Sequence, residues 1–344
     1  MTVAEIAAIL ARFPSMRALV VGDVCLDRWC RYDPSFAEPS RETGIPRVAV
    51  TATEVTPGAA GTVAANLAAL GVGQVSVLGA LGDDGFGWDL ERALAARGIS
   101  TNLLIRSSHI STFTYTKLIH ALTGIEDLPR LDFINAHPFP SGPESQLLDS
   151  LRQNARDFDV ILVSDQAETP EGGAITAGVR AELEKLSRAQ LIWVDSRARS
   201  ELFRGVILKS NREEAEAAGA RIPEINPIIN PGINPGGYET LRRHTQSKLL
   251  MVTLGAEGVV IVDDRGETLV PAQAIGKPVD ICGAGDAFPA GAALALASSS
   301  SPIDAARFGN LVASITIMKP GTGTASPQEL LRALPDSWPL APDP

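Results

Sequence analysis

Near the C-terminus the chain reads Asp280-Ile281-Cys282-Gly283-Ala284-Gly285-Asp286-Ala287-Phe288, followed by a run of small residues suited to a helix. Three small residues stand where that helix begins, with a carboxylate just inside it. The first N–H groups of a helix lack intrahelical acceptors and point outward, so they bind anions such as phosphate. A carboxylate beside a bound anion is repelled by it. The arrangement makes chemical sense when the carboxylate takes a proton from a hydroxyl that then attacks the phosphate. The competing reading of Asp286 is a helix-start acid with no chemistry.

Working outward, the 344 residues suffice for one large α/β domain or two smaller ones. An apolar fraction of 45% supports a full core, and aromatic residues are scarce at 5%. The net charge of −10 argues against nucleic acid or an anionic membrane as the main partner. No apolar run approaches membrane-spanning length. Cys25, Cys30 and Cys282 have no CxxC spacing, which favours reduced thiols and a cytoplasmic setting. The N-terminus lacks a basic region and reads as a short helix rather than a signal peptide. His109, His120, His137 and His244 have no ligand spacing, so no zinc site is expected.

Arg17–Gly22 is an apolar run ending in glycine, a buried first strand. Residues 28–56 then become polar and irregular, with Pro34, Pro39 and Pro46 and a strand-like Arg47–Val50. A helix spans 60–71, a strand 75–79 and a helix 88–97. Residues 111–120 and 129–134 alternate as half-exposed strands do, and would pair with the 28–56 excursion in a small second sheet. Further strands are expected at 160–163, 191–194, 206–208 and 249–254, with a hairpin from 259 to 270. Helices are expected around 174–187, 212–218, 284–297 and 303–314. Strands alternating with helices imply a mostly parallel sheet covered on both faces. The Asn-Pro-rich stretch 222–237 reads as a surface loop, and the Pro-rich last ten residues as a tail.

There is no G-x-x-x-x-G-K-[ST] and no glycine-rich turn after the first strand, which excludes P-loop and Rossmann dinucleotide sites. Asp280-Ile281-Cys282-Gly283-Ala284-Gly285-Asp286 instead resembles the D-T-x-G-A-G-D signature of the ribokinase/PfkB carbohydrate kinases. Pro57-Gly58-Ala59-Ala60-Gly61-Thr62 is similar to that family's N-terminal glycine-rich signature. Gly82–Gly87, Asn211-Arg212-Glu213-Glu214 and Thr253–Gly258 are similar to its G-D-D-x-x-G, N-x-x-E and T-x-G-x-x-G elements. Within the family, Gly22–Arg28, Thr116-Lys117 with Arg130-Leu131-Asp132, and Phe308–Thr322 resemble the heptose-7-phosphate kinase domain group.

The resemblance implies one ribokinase-like kinase domain over 1–344, a three-layer α/β/α fold with a small β-sheet lid from about 28–56 and 110–134. It implies Asp286 as general base, with Gly283, Ala284 and Gly285 as the anion hole. Asp27, Gly58, Thr62 and Asp165 would meet the sugar, although Asp27 also reads as a turn carboxylate. Thr253, Gly255, Gly258 and Asn310 would line the ATP site. Asn211 and Glu214 would order Mg²⁺ through water; the same pair reads as an N-cap with its capping box. Asp280 resembles a monovalent-cation ligand, for K⁺, of part of the family.

Three departures bear on the substrate. Thr62 stands where the family has an asparagine, and Ala59 replaces a glycine. Ser164-Asp165-Gln166-Ala167-Glu168 stands where the heptose group has S-D-Y-x-K-G, so its lysine is missing; Arg28, Arg41, Arg47, Lys117 and Arg130 are the cations left to hold a sugar phosphate. The expected activity is ATP-dependent phosphorylation of a hydroxyl on a sugar or sugar phosphate, in a homodimer formed through the lid. The alternatives are a nucleoside or vitamin kinase of the same fold, and a non-catalytic sugar or nucleotide sensor.

Overall fold

A computed structural model describes residues 1–222, 237–272 and 276–333. Most of the Asn-Pro-rich stretch at 222–237 and all of the Pro-rich tail lie outside the described residues. In chain order the strands are β1 (Arg17–Gly22), β2 (Val24–Tyr32), β3 (Val50–Ala59), β4 (Gln74–Leu78), β5 (Ala80–Gly82), β6 (Ile105–Ser107), β7 (Thr114–His120), β8 (Leu131–Phe133), β9 (Val160–Asp165), β10 (Ile192–Ser196), β11 (Ile207–Asn211), β12 (Leu250–Thr253), β13 (Val259–Asp263) and β14 (Gly266–Val270). The helices are α1 (Val3–Leu10), α2 (Ala60–Ala69), α3 (Gly85–Ala95), α4 (Ser141–Asn154), α5 (Ala177–Leu186), α6 (Arg212–Arg221), α7 (Tyr238–His244), α8 (Ala284–Ala297), α9 (Pro302–Thr316) and α10 (Pro327–Arg332).

The main sheet has the order β14-β13-β12-β11-β10-β9-β1-β4. It is parallel from β4 to β12 and ends in the antiparallel pairs β12–β13 and β13–β14. The continuous apolar run in β1 is explained by burial on both faces. Ala18 and Val20 join the core under α2, α8 and α9, while Leu19 and Val21 join the core under α4, α5 and α6. The result is the expected three-layer α/β/α architecture.

The helix that carries the opening motif crosses α9 closely. A side chain on Gly291 would lie 2.8 Å from Val312, and one on Gly309 2.9 Å from Phe288. Small residues at these positions let α8 settle onto the sheet with its N-terminus at the carboxyl edge of the strands.

A second sheet, β3-β2-β7-β8, stands apart from the main one. Its strands differ from the expected excursion in one respect. Arg47–Ala49 is not part of the strand, which begins at Val50; Pro39 and Pro46 form only an isolated bridge there. Proline has no N–H to extend a ladder, so pairing resumes past it. The Gly22–Arg28 motif is itself largely strand, with Asp27 paired to Thr56 on one side and Tyr115 on the other. Helix α3 begins at Gly85, three residues before the expected Trp88, because the Asp84 carboxylate caps Gly87 N–H at 2.7 Å.

Strand β3 passes directly into α2 at Ala59, which has φ 50° and ψ −119°. An L-residue with a Cβ is strained there and glycine is not. Ala59→Gly is therefore expected to raise stability by about 1 kcal/mol, read from urea denaturation midpoints; a loss of stability would show that this junction is not strained.

Candidate active site

The carboxyl ends of the parallel strands gather the polar residues, as open α/β sheets dictate. Asp23 follows β1, Asp165 ends β9, Asp195 lies in β10, Lys209 and Asn211 in β11, and Thr253 ends β12. Ser164, Asp195 and Lys209 are register neighbours across three strands, so their side chains share one face of the sheet.

Helix α8 points its N-terminus at this edge. Gly283 is its N-cap, with φ 78°, and supplies no side-chain cap. Among the described residues the N–H groups of Gly283 and Gly285 have no acceptor, whereas Ala284 N–H makes a long 3.3 Å bond to Ile281 O. Gly283 and Gly285 are thus the free donors, and Ala284 is partly engaged. Asp280 secures the turn: its two carboxylate oxygens accept N–H from Cys282 at 2.9 Å and from Gly321 at 3.0 Å.

Lys209, which the sequence reading missed, lies beneath that turn. It is almost fully buried, its Nζ donates to Asp195 Oδ2 at 2.8 Å, and a side chain on Gly285 would lie 3.7 Å from it. Burial pulls the ammonium down, but Asp195, Glu214 and Asp286 outweigh it and the net direction is up. A charged lysine close to Gly285, at a helix start with two free N–H groups, gives an acidic protein a candidate place for an anion. Lys209 and Asp195 were legible as polar residues at the carboxyl ends of adjacent buried strands.

Asp286 receives no hydrogen bond from any described residue. Burial and then the charge of Asp195 push its carboxyl up to about 7, against the opposing pull of Lys209; Asp27 adds to the rise and Arg197 opposes it. A carboxylate with its pKa near neutrality is matched to general-base work. Asp27 is likewise without a donor among the described residues. Burial raises it to about 6, with Lys117 and Arg130 opposing. Gly58 packs directly on this group: a Cβ there would lie 2.7 Å from Asp27 Oδ2.

Other expected residues are placed differently. Asp165 is wholly buried and its carboxylate is taken by Arg199 and by Ser196 Oγ at 2.6 Å. Thr62 is buried, and its hydroxyl donates to Pro57 O at 3.1 Å rather than facing outward. Asn211 and Glu214 form a full capping box, each bonding the other's N–H at 2.8 Å. Glu214 is also raised, by burial first, with Lys209 opposing and Asp195 adding. Thr253, Gly255 and Gly258 surround one tight turn closed by Leu254 N–H on Gly258 O at 2.7 Å. Asn310 reaches the same region from α9, donating to Val270 O and Pro271 O at 3.4 Å.

The loop facing these groups is held by two buried charges. Asp23 accepts N–H from Gln166, Ala167 and Ala174, each at 2.8 Å. Arg199 donates to the carbonyls of Ala167, Thr169 and Pro170. Burial, then the charge of Asp165, raises Asp23 to about 6. No group of three or more His, Cys, Asp or Glu side chains among the described residues forms a metal cage.

A free helix start with a near-neutral carboxyl beside it, at the carboxyl edge of a three-layer α/β/α fold, is the arrangement expected of the ribokinase-like class. The pfkB family carbohydrate kinase model matches residues 17–131 and 206–329, and the chain belongs to that family. It is 31% identical over 333 residues to the bifunctional protein HldE of Trichlorobacter lovleyi, covering 95% of this chain and 64% of that protein. HldE of Shewanella piezotolerans is 30% identical, with 95% and 65% covered. The chain thus spans about two thirds of the length of the curated relatives it matches, slightly less at 64–65%. These relatives support the subgroup resemblance carried by Gly22–Arg28. The fold is similar to ribokinase from Thermotoga maritima, with TM-score 0.67, 21% identity and 92% and 99% of the two chains covered. It is also similar to Arabidopsis thaliana ribokinase complexed with ribose and ATP, with TM-score 0.66, 18% identity and 92% and 98% covered.

The electrostatics make a signed prediction. Catalysis that needs ionised Asp286 rises with pH through about 7 and then levels off. Asp195→Asn removes a charge that raises Asp286 and frees Lys209 to lower it, so the acid limb of the pH–kcat/KM profile is expected to move to lower pH. An unmoved limb would assign it to another group.

Proposed function

We propose that this protein transfers the γ-phosphoryl group of ATP to a hydroxyl of a sugar or sugar phosphate. The observation that carries the reading is the pair of carboxylates without donors among the described residues, Asp286 beside the free N–H groups of α8 and Asp27 on the second sheet. Asp27 accepts hydrogen bonds from sugar hydroxyls and orients the acceptor. Asp286 takes the proton of the attacking hydroxyl. Gly283 and Gly285 N–H groups, with Lys209 behind them, stabilise the charge on the phosphoryl group in flight; the loss of one such donor costs about 3 kcal/mol in comparable sites.

The nucleotide lies along Thr253–Gly258 and Asn310. Mg²⁺, when bound with the nucleotide, neutralises phosphate charge, and Glu214 and Asn211 would hold its waters. Asp280 spends both oxygens on backbone N–H groups, and a monovalent cation forms no part of the proposal. Lys117 and Arg130, which flank Asp27, favour an acceptor that already carries a phosphate. The second sheet serves as the lid that excludes water as a competing acceptor. Its exposed Val50, Leu131 and Phe133 suit pairing with a second copy.

ADP release measured across a panel of sugars and sugar phosphates tests the reading. A phosphorylated sugar is expected to stimulate release, and Asp286→Asn is expected to lower kcat by about 10² to 10⁴. Turnover by Asp286→Asn at the wild-type rate would remove Asp286 as the base. ATP binding with no acceptor-stimulated release would favour a sensor.

A further inference from the structure

Arg197 stands just past the end of β10, where its N–H bonds Asp165 O at 3.1 Å. Its guanidinium pairs with Glu168 at 2.9 Å, and the two side chains are 53% and 40% exposed. Three other cations around the site are held more firmly, and a fourth, Lys117, lies on the lid side. Lys209 is buried on Asp195. Arg199 is divided between Asp165 and three backbone carbonyls. Arg130 grips Asp132 through two bonds, at 2.7 and 2.6 Å, with its guanidinium over the Tyr115 ring. Lys117 faces Glu126 at 3.5 Å, on the lid side near Asp27.

The position of Arg197 is also distinct. It follows Asp195 by two residues at the carboxyl end of β10, and Asp195 holds the Lys209 ammonium close to Gly285 at the start of α8; the charge of Arg197 is accordingly felt at Asp286, at Glu214 and at Tyr115 of the second sheet. Glu168 belongs to the loop whose backbone Asp23 and Arg199 hold on either side of it, and it meets the end of a long, half-exposed side chain. An exposed ion pair of this kind is held weakly. A triphosphate offers the guanidinium more charge and a geometry suited to two parallel hydrogen bonds.

We propose that Arg197 is a catalytic cation kept in reserve: it rests on Glu168 in the free protein and passes to the γ-phosphoryl group of bound ATP. The inference rests on the kinase reading above. In the reaction the acceptor oxygen forms a bond to phosphorus, the bond from phosphorus to the departing ADP oxygen breaks, and the hydroxyl proton goes to Asp286. Arg197 forms and breaks no covalent bond; it neutralises charge on the group being transferred. The same swing accounts for the acid at position 168. Glu168 gives Arg197 a resting place that leaves the anion hole open to the incoming nucleotide.

The test compares the affinities of AMP-PNP and ADP, each with Mg²⁺, by calorimetry. Arg197→Met is expected to weaken AMP-PNP binding about tenfold and leave ADP binding within about twofold, since only AMP-PNP carries the γ-phosphoryl position. Glu168→Gln, which frees the guanidinium, is expected to leave AMP-PNP binding unchanged or tighten it, and Arg197→Lys to restore part of the loss. In turnover, Arg197→Met lowers kcat by about a hundredfold while the acceptor KM changes little. A pair that only braces the loop predicts something else: Arg197→Met and Glu168→Gln would weaken both nucleotides alike and lower thermal stability alike. That result, or an Arg197→Met protein with unchanged affinity for both nucleotides, overturns the proposal. If wild type turns over no acceptor, the kinase reading fails, and the comparison of AMP-PNP with ADP still decides the role of Arg197.

Discussion

A single buried ammonium organises the charge in this protein. Lys209 lies 2.8 Å from Asp195 and close under Gly285, where α8 begins. Its placement requires a compensating acid, and Asp195 supplies it from the adjacent strand. The ion pair is close to neutral as a unit, and at Asp286 the charge of Asp195 outweighs that of Lys209, so the carboxyl stays raised to about 7. In the proposed reaction that elevation suits Asp286 to take a proton near neutral pH, while the free N–H groups at the start of α8, with Lys209 close to Gly285, meet phosphate.

The surrounding scaffold follows a similar logic. Asp23 gathers three N–H groups and Arg199 gathers three carbonyls from one loop, so backbone groups that would be orphaned by an irregular path are satisfied by two buried charges. Asp165 closes the arrangement by pairing with Arg199. The second sheet is placed by continuity. Strand β2 begins two residues after β1 ends, and β3 leads straight into α2 through the strained Ala59. Asp27 on β2 and Asp286 on α8 are thus tied to the same core by short connections.

Much of this was legible in the chain itself. Buried parallel strands show as apolar runs such as Leu19-Val20-Val21, and helix starts show in cap chemistry such as Asn211 with Glu214. The α8 turn was legible because glycines beside an acid at a helix start are chemically pointed. What escaped has a common cause. Lys209 and Asp195 are visible singly as polar strand ends but matter as a pair that the parallel register brings together, and Arg197 meets Glu168 through a loop contact. Asp165 and Thr62 were expected at a ligand because their motifs resemble sugar-binding ones, yet tertiary partners consume their hydrogen bonds. The Arg47–Val50 strand was misplaced because hydrophobic alternation does not register the N–H that Pro46 lacks.

In the proposed reaction phosphoryl transfer occurs at the N-terminus of α8, close to Lys209. A crystal structure with Mg²⁺, ADP, aluminium fluoride and an accepted sugar phosphate tests it most directly. The expected result is the fluoride group on the N–H groups of Gly283 and Gly285 at about 3 Å, with the acceptor hydroxyl between it and the Asp286 carboxylate. A fluoride group bound elsewhere, with Asp286 facing no hydroxyl, would contradict it.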